Sequence, residues 1–207
     1  MPVRKLLKFF DSSDRDLRIS IGEIEKKVLG LLHGHQISYC PMLDEGADNP
    51  ILGMLEQQDC PTGWSGEGVT NYVHFRASES PAMRRLIICK ELTHILDPDC
   101  YLTNTETHVE DLIIDLAAPI GIRDANQHAA HDKRSLVLAL SIFLPPSIRS
   151  ILLPKFEDGT LTAEQISEDV EIPLDMVKYV MSSRWPDLYK YTLECIEEDL
   201  NVHEAAA

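Results

Sequence analysis

Apolar residues recur at helical spacing along most of the chain and switch to strand-like alternation in one short stretch. Ser20 and Glu23 have the S-x-x-E spacing of a capping box. Behind them Ile21, Ile24, Val28, Leu31 and Leu32 fall at helical spacing until Gly34 ends the run. Residues 36–68 are rich in Gly, Pro and Asp with only short apolar pieces, of which Ile51 to Leu55 is the best, and they predict loop and short elements. Val69, Asn71, Val73 and Phe75 then alternate with Thr70, His74 and Arg76. That period of two predicts a strand, which the turn-forming cluster from Ser78 to Pro81 ends.

In the next segment, MRRLIICKELTHIL from Met83 to Leu96, apolar residues nearly encircle the helix, as expected of a central, buried one. A helix is predicted from Thr105 to Leu116, opening on Glu106, Glu110 and Asp111 and stopping at Pro119. A longer one from about Asn126 to Leu144 is ended by Pro145 and Pro146. Thr162 and Gln165 form a second capping box and Pro173 stands where the first residue of a helix belongs, so residues 162–182 predict two short helices with a tight connection. A last helix follows Pro186, with Tyr189, Leu193, Ile196 and Leu200 along one stripe. The fold class expected is α+β, mostly helical, with a small β-sheet beside a buried helix pair. The division expected is a main domain over 1–150 and an acidic helical subdomain over 151–207.

Composition narrows the functions available. In 207 residues the hydrophobic fraction is 44% and the charged fraction 26%, values of a soluble globular chain able to bury its own core. Against 34 acidic residues stand 19 basic ones, a net charge of -15, which repels phosphate backbones and anionic membrane surfaces. The five cysteines are widely spaced with no C-x-x-C pair, so they read as reduced thiols. The basic start of the chain has too short an apolar run for a signal peptide, and the uncharged stretch from Ser135 to Ile148 is too short to span a bilayer. A cytoplasmic protein is expected.

The segment with chemical content is Lys90-Glu91-Leu92-Thr93-His94. Zinc peptidases place H-E-x-x-H on a helix because positions i and i+4 lie one above the other, so two imidazoles share a metal while the Glu between them polarises its water. Here Lys90 stands at the first imidazole position. A protonated lysine has donors only, so it cannot ligate zinc, and its charge repels the ion. An ammonium on so apolar a helix either snorkels to solvent or is buried and paired, with Asp132, Glu106 or Glu91 as the available carboxylates.

With these residues on the page, the chain resembles the ImmA/IrrE-type metallopeptidases, a zincin-like family. The resemblance rests on the order of Tyr72 to Phe75, Arg84-Arg85, Leu86 to Cys89 and Lys90 to His94, matching a strand, an Arg-bearing linker, an apolar turn and H-E-L-G-H. It continues in Asp132 ahead of Leu136, Ala139, Leu140 and the closing Ile142-Phe143-Leu144-Pro145, and in Glu164 to Met181, which is similar to a helix-turn-helix. The resemblance implies Glu91 as the catalytic residue and His94 and Asp132 as metal ligands if metal is bound. Glu106 is the alternative to Asp132, because ETHVEDLIIDLAAP has the same length to Pro119. His108, His128 and His131 lie near these positions and are read as solvated histidines, an extra nitrogen ligand being the other reading.

Two functions follow from the resemblance. The first is a degenerate, metal-free relative, in which Lys90 substitutes for the metal cation, acting as a non-catalytic binding or regulatory protein of a phage or mobile element. The second is a metal-dependent endopeptidase with altered ligands, holding zinc and cleaving a repressor-like protein. The expected partner is a protein, such as a repressor-like regulator. From Phe156 onward thirteen acidic residues face only Lys178, Arg184 and Lys190, so the terminal helical pair lacks the cations a DNA reader needs.

Overall fold

The computed structural model describes residues 2–12, 14, 16–43, 52–60, 68–97 and 127–206. Among them are α1 (Pro2–Phe10), α2 (Ile21–Leu29), β1 (His35–Met42), β2 (Gly53–Cys60), β3 (Gly68–Arg76) and α3 (Pro81–His94). They are followed by α4 (Gln127–Phe143), α5 (Pro146–Glu157), α6 (Ala163–Val170), α7 (Leu174–Met181) and α8 (Trp185–Ala206). The fold is α+β and mostly helical. The helix expected over 105–116, with Glu106 and His108, lies outside the described residues.

Local chemistry accounts for most of the boundaries. Ser20 accepts the Glu23 N–H and opens α2, which ends at Gly30, short of Leu31 and Leu32. Ser80 accepts the Met83 N–H with Pro81 in the first turn of α3. Thr162 and Gln165 form the reciprocal capping box of α6, while Pro173 is the residue flanking α7 and not its first helical one. Pro146 ends nothing by itself: it occupies the first turn of α5, a helix the sequence pattern did not predict. The domain boundary drawn after residue 150 falls inside α5, and one apolar core runs from Val3 through Leu144 to Leu188.

The sheet has the order β1-β3-β2, with β1 and β3 parallel and β2 and β3 antiparallel. Residues 36–68, expected as loop and short elements, contribute two of its three strands. Both are flanking strands, and such strands need few buried side chains: Tyr39 and Leu55 flank the fully buried Val73 in one cross-strand row. Two residues along, Asn71 stands between Ile37 and Gln57, and it is buried, accepting from Gln57 Nε2 at 2.7 Å and donating to the Gln36 carbonyl at 2.8 Å.

Helix α3 lies at the centre, packed on β2, β3, α2 and α4. It runs antiparallel to α4, with the Arg85 guanidinium 4.9 Å from the Phe143 ring at one end and His94 beside Asp132 at the other. No single described helix is long and apolar enough to cross a membrane.

Candidate functional site

Every residue of α3 from Cys89 to Thr93 is buried, so the polar residues there cannot reach water by choosing a face. Lys90, Glu91 and Thr93 are buried in it with Met83, Leu86, Ile87, Cys89 and Leu92, and the Lys90 side chain does not snorkel. Asp132, near the start of α4, is equally buried. Four of the residues singled out in the sequence therefore meet in one place: Lys90, Glu91, His94 and Asp132.

Their contacts are direct. Lys90 Nζ lies 3.0 Å from Glu91 Oε1 and forms a close ion pair with Asp132 Oδ1. The same Asp132 oxygen lies 3.4 Å from His94 Nε2. On its other side His94 Nδ1 is 2.7 Å from Asp97 Oδ2 and 3.1 Å from Ser135 Oγ. Thr93 donates to the Lys90 carbonyl at 2.7 Å, so its hydroxyl is satisfied within the helix.

Position in the fold explains how a charged group fits so close to the sheet. A Cβ on Gly53 would stand 2.4 Å from Ile87 Cγ2 and 2.8 Å from Glu91 Oε1. Only glycine at the start of β2 leaves room for the Glu91 carboxylate to lie beside the backbone while it faces Lys90.

The electrostatics follow from these neighbours. Burial lowers the proton affinity of the Lys90 ammonium, but the charges of Glu91 and Asp132 outweigh it and hold the pKa above the ordinary lysine value. Burial also works against a charged His94. Its hydrogen bonds to Asp132 and Asp97 prevail and raise it to about 9. Asp132 moves the opposite way: burial alone would raise its pKa, but Lys90 and His94 hold it well below the usual carboxylate range. At neutral pH the cluster therefore holds the Lys90 and His94 cations around the Asp132 carboxylate.

This donor set does not fit a catalytic zinc. Lys90 has no lone pair when protonated, which leaves His94 as the nitrogen donor of the cluster beside the carboxylates of Glu91 and Asp132. Glu91 and Asp132 are turned onto the Lys90 ammonium, and no group of three or more His, Cys, Asp or Glu side chains among the described residues is placed to hold a metal ion. His131 precedes Asp132 on α4 and is half-buried. His128 lies on the same helix one turn earlier.

Sequence reasoning did not single out Asp97. The spacing His94-x-x-Asp97 was the available signal, since a residue just past a helix end can fold its side chain back onto the last turn. Ser135 lies three residues after Asp132 and so on the same face of α4. It is buried and reaches His94. No protein-family model, curated protein or solved structure matches the chain.

Proposed function

We propose that this chain is a zincin-like relative of the ImmA/IrrE metallopeptidases in which the Lys90 ammonium occupies the electrostatic place of the zinc ion. It acts as a non-catalytic, cytoplasmic binding or regulatory protein of a phage or mobile element. The observation that carries this reading is the ion pair of Lys90 with Asp132, made between two antiparallel helices at the position where the resemblance puts a metal and its acidic ligand. A cation still neutralises Asp132 and Glu91, so the helix pair keeps its arrangement without metal. The polarised water of a peptidase then has no ion to hold it, and Glu91 serves as a partner of Lys90 and not as a base.

The function left to such a protein is recognition. Its terminal helical pair exposes Glu164, Glu168, Asp169 and Asp175, which favours a basic protein surface, for example that of a repressor-like regulator, over nucleic acid.

Metal analysis tests the reading. Protein purified without a polyhistidine tag or added zinc is expected to hold no stoichiometric zinc, and chelator to leave its Tm unchanged. Lys90→His rebuilds H-E-L-T-H on the same helix face and is expected to gain calorimetrically measurable zinc affinity together with metal-dependent stabilisation. One tightly bound zinc per wild-type chain with His94 among its ligands overturns the proposal. A folded Lys90→His variant with no more zinc than the parent removes the family resemblance on which it rests.

A further inference from the structure

The two faces of the sheet carry different chemistry. Tyr39, Gly53, Leu55 and Val73 face the core and α3, so their neighbours along each strand stand on the other face. On that face Cys40 is opposite His74 across β1 and β3, and Met54 is opposite His74 across β2 and β3. A thiol, an imidazole and a thioether therefore form one cross-strand row, with the imidazole between the two sulfurs. Neighbouring strands are about 4.8 Å apart, so the three side chains leave the backbone within reach of a single ion.

These groups are not spent on other contacts. Cys40 is a half-buried free thiol, and among the described residues neither it nor Met54 has a polar partner. His74 Nε2 lies 3.3 Å from Glu56 Oε2, yet the atom is enclosed and makes no hydrogen bond. A carboxylate beside Nε2 favours the proton there and leaves the lone pair of the ring on Nδ1, as the carboxylate partners of metal-bound histidines do. Arg76, the cation of the next row, has Glu79 at 3.7 Å.

We propose that Cys40, His74 and Met54 together bind one Cu(I) ion. The Cys40 thiol gives its proton to solvent as the sulfur bonds to the ion, and the oxidation state of the metal does not change. Thiolate and thioether donors select a soft ion such as Cu(I) over magnesium, calcium or manganese, which take oxygen ligands. Zinc is held by Cys, His, Asp and Glu and not by a thioether, and no three such side chains are placed around one point among the described residues. Met54 is unbranched with three rotatable bonds, so its sulfur can swing over the row. The row lies on the sheet face turned away from the Lys90 cluster, and neither assignment depends on the other.

Cu(I) is titrated, under reducing and oxygen-free conditions, into the full-length protein labelled at its methionine methyl groups. One equivalent is expected to shift the Met54 methyl resonance and to leave those of Met83, Met176 and Met181 in the core unmoved. Competition against a chromogenic Cu(I) chelator gives the affinity. Cys40→Ser is expected to lower it about a hundredfold, and Met54→Leu and Glu56→Gln about tenfold each. Met54→Leu keeps the volume and apolar character of the side chain, so the fold is retained, and melting curves without metal identify any other variant that is altered. Zinc is expected to leave the Met54 methyl where it is. No Met54 shift at one equivalent of Cu(I) overturns the proposal, whether the ion stays free or goes to another cysteine. So does a Met54→Leu variant that binds Cu(I) as tightly as the parent, or a Met54 shift that zinc produces equally well.

Discussion

Two helix pairs in this molecule are held together by opposite means. Helices α6 and α7 meet through Ala163, Ile166, Val170, Met176, Val177 and Val180, all buried and apolar, with their charges left outside. Helices α3 and α4 also share apolar contacts, but they enclose Lys90, Glu91 and Asp132 in the same seam. The first pair shows that this chain can pack helices without buried charge. Desolvating a lysine and two carboxylates costs several kcal/mol per ion before their mutual attraction offsets it, so the charged seam is not explained by a need for cohesion. The proposed replacement of a metal ion by the Lys90 ammonium offers a reason for charges in this seam.

The largest expected effect breaks the charged seam on one side only. Asp132→Ala leaves the Lys90 ammonium buried with Glu91 alone, and chemical denaturation is expected to show a loss of about 3–5 kcal/mol. Replacing both partners, Lys90→Met with Asp132→Leu, is expected to recover much of that loss, since apolar side chains of similar size fill the seam as they fill the other pair. A double variant no more stable than Asp132→Ala would mean that the charges, and not the shape, hold α3 against α4.

In the apolar pair the matching experiment is Ile166→Ala, expected to cost about 2–4 kcal/mol through lost burial and the cavity left behind. A smaller cost is expected at Gly53, where Ala would press on Ile87 and Glu91 and lower stability by about 1–3 kcal/mol through overpacking. If Gly53→Ala is neutral, the Glu91 carboxylate is not fixed beside β2.

The two seams also differ in their dependence on pH. His94 is raised from its ordinary 6.5 to about 9, so its contribution is complete below about 6.5 and fades as pH rises to and beyond about 9. Asp132 is depressed, so its contribution is complete above its ordinary value of 3.8 and is lost as pH falls towards its lowered pKa. Stability measured from pH 6 to 10 is expected to fall in the parent and to be flatter in His94→Gln, while Ile166→Ala keeps the slope of the parent. Equal slopes in the parent and His94→Gln would place the proton elsewhere.

Smallest of all is the effect expected at the turn joining α6 to α7. Glu171 there has a left-handed backbone, with φ of 54°, and its carboxylate is gripped by Arg18 and Arg85, each at 2.7 Å. Glu171→Ala keeps the backbone strain and removes both ion pairs, which is expected to cost roughly 1–2 kcal/mol because the pairs are only partly shielded from water. Equilibrium unfolding of the variant checks it.

How much of this was legible in the sequence depended on whether the signal was local. The cap at Ser20, the capping box at Thr162, the alternation from Val69 to Phe75 and the all-round apolar character of α3 each sit within one element; at Ser20 the structure shows the serine half of the box and at Thr162 both halves. Asp132, which the resemblance names as the acidic ligand, meets Lys90, while its alternative Glu106 lies outside the described residues. Strands β1 and β2 were missed because their polar residues make sense only beside β3, which supplies the buried row. Helix α5 was missed because Pro146, a helix starter in its first turn, reads equally as a stop. The His94 partners Asp97 and Ser135 stand past the end of α3 and on α4, so no periodicity within one element records their meeting.

The strand order has a consequence for the sequence of events in folding. Gly68 meets Cys60 a short way back along the chain, whereas Val69 meets His35 on the far side of β2. Antiparallel pairing of β2 with β3 closes a small loop, and parallel addition of β1 closes a larger one at greater entropic cost. Strand β1 is thus expected to join last, and hydrogen exchange is expected to find its amides the least protected of the sheet.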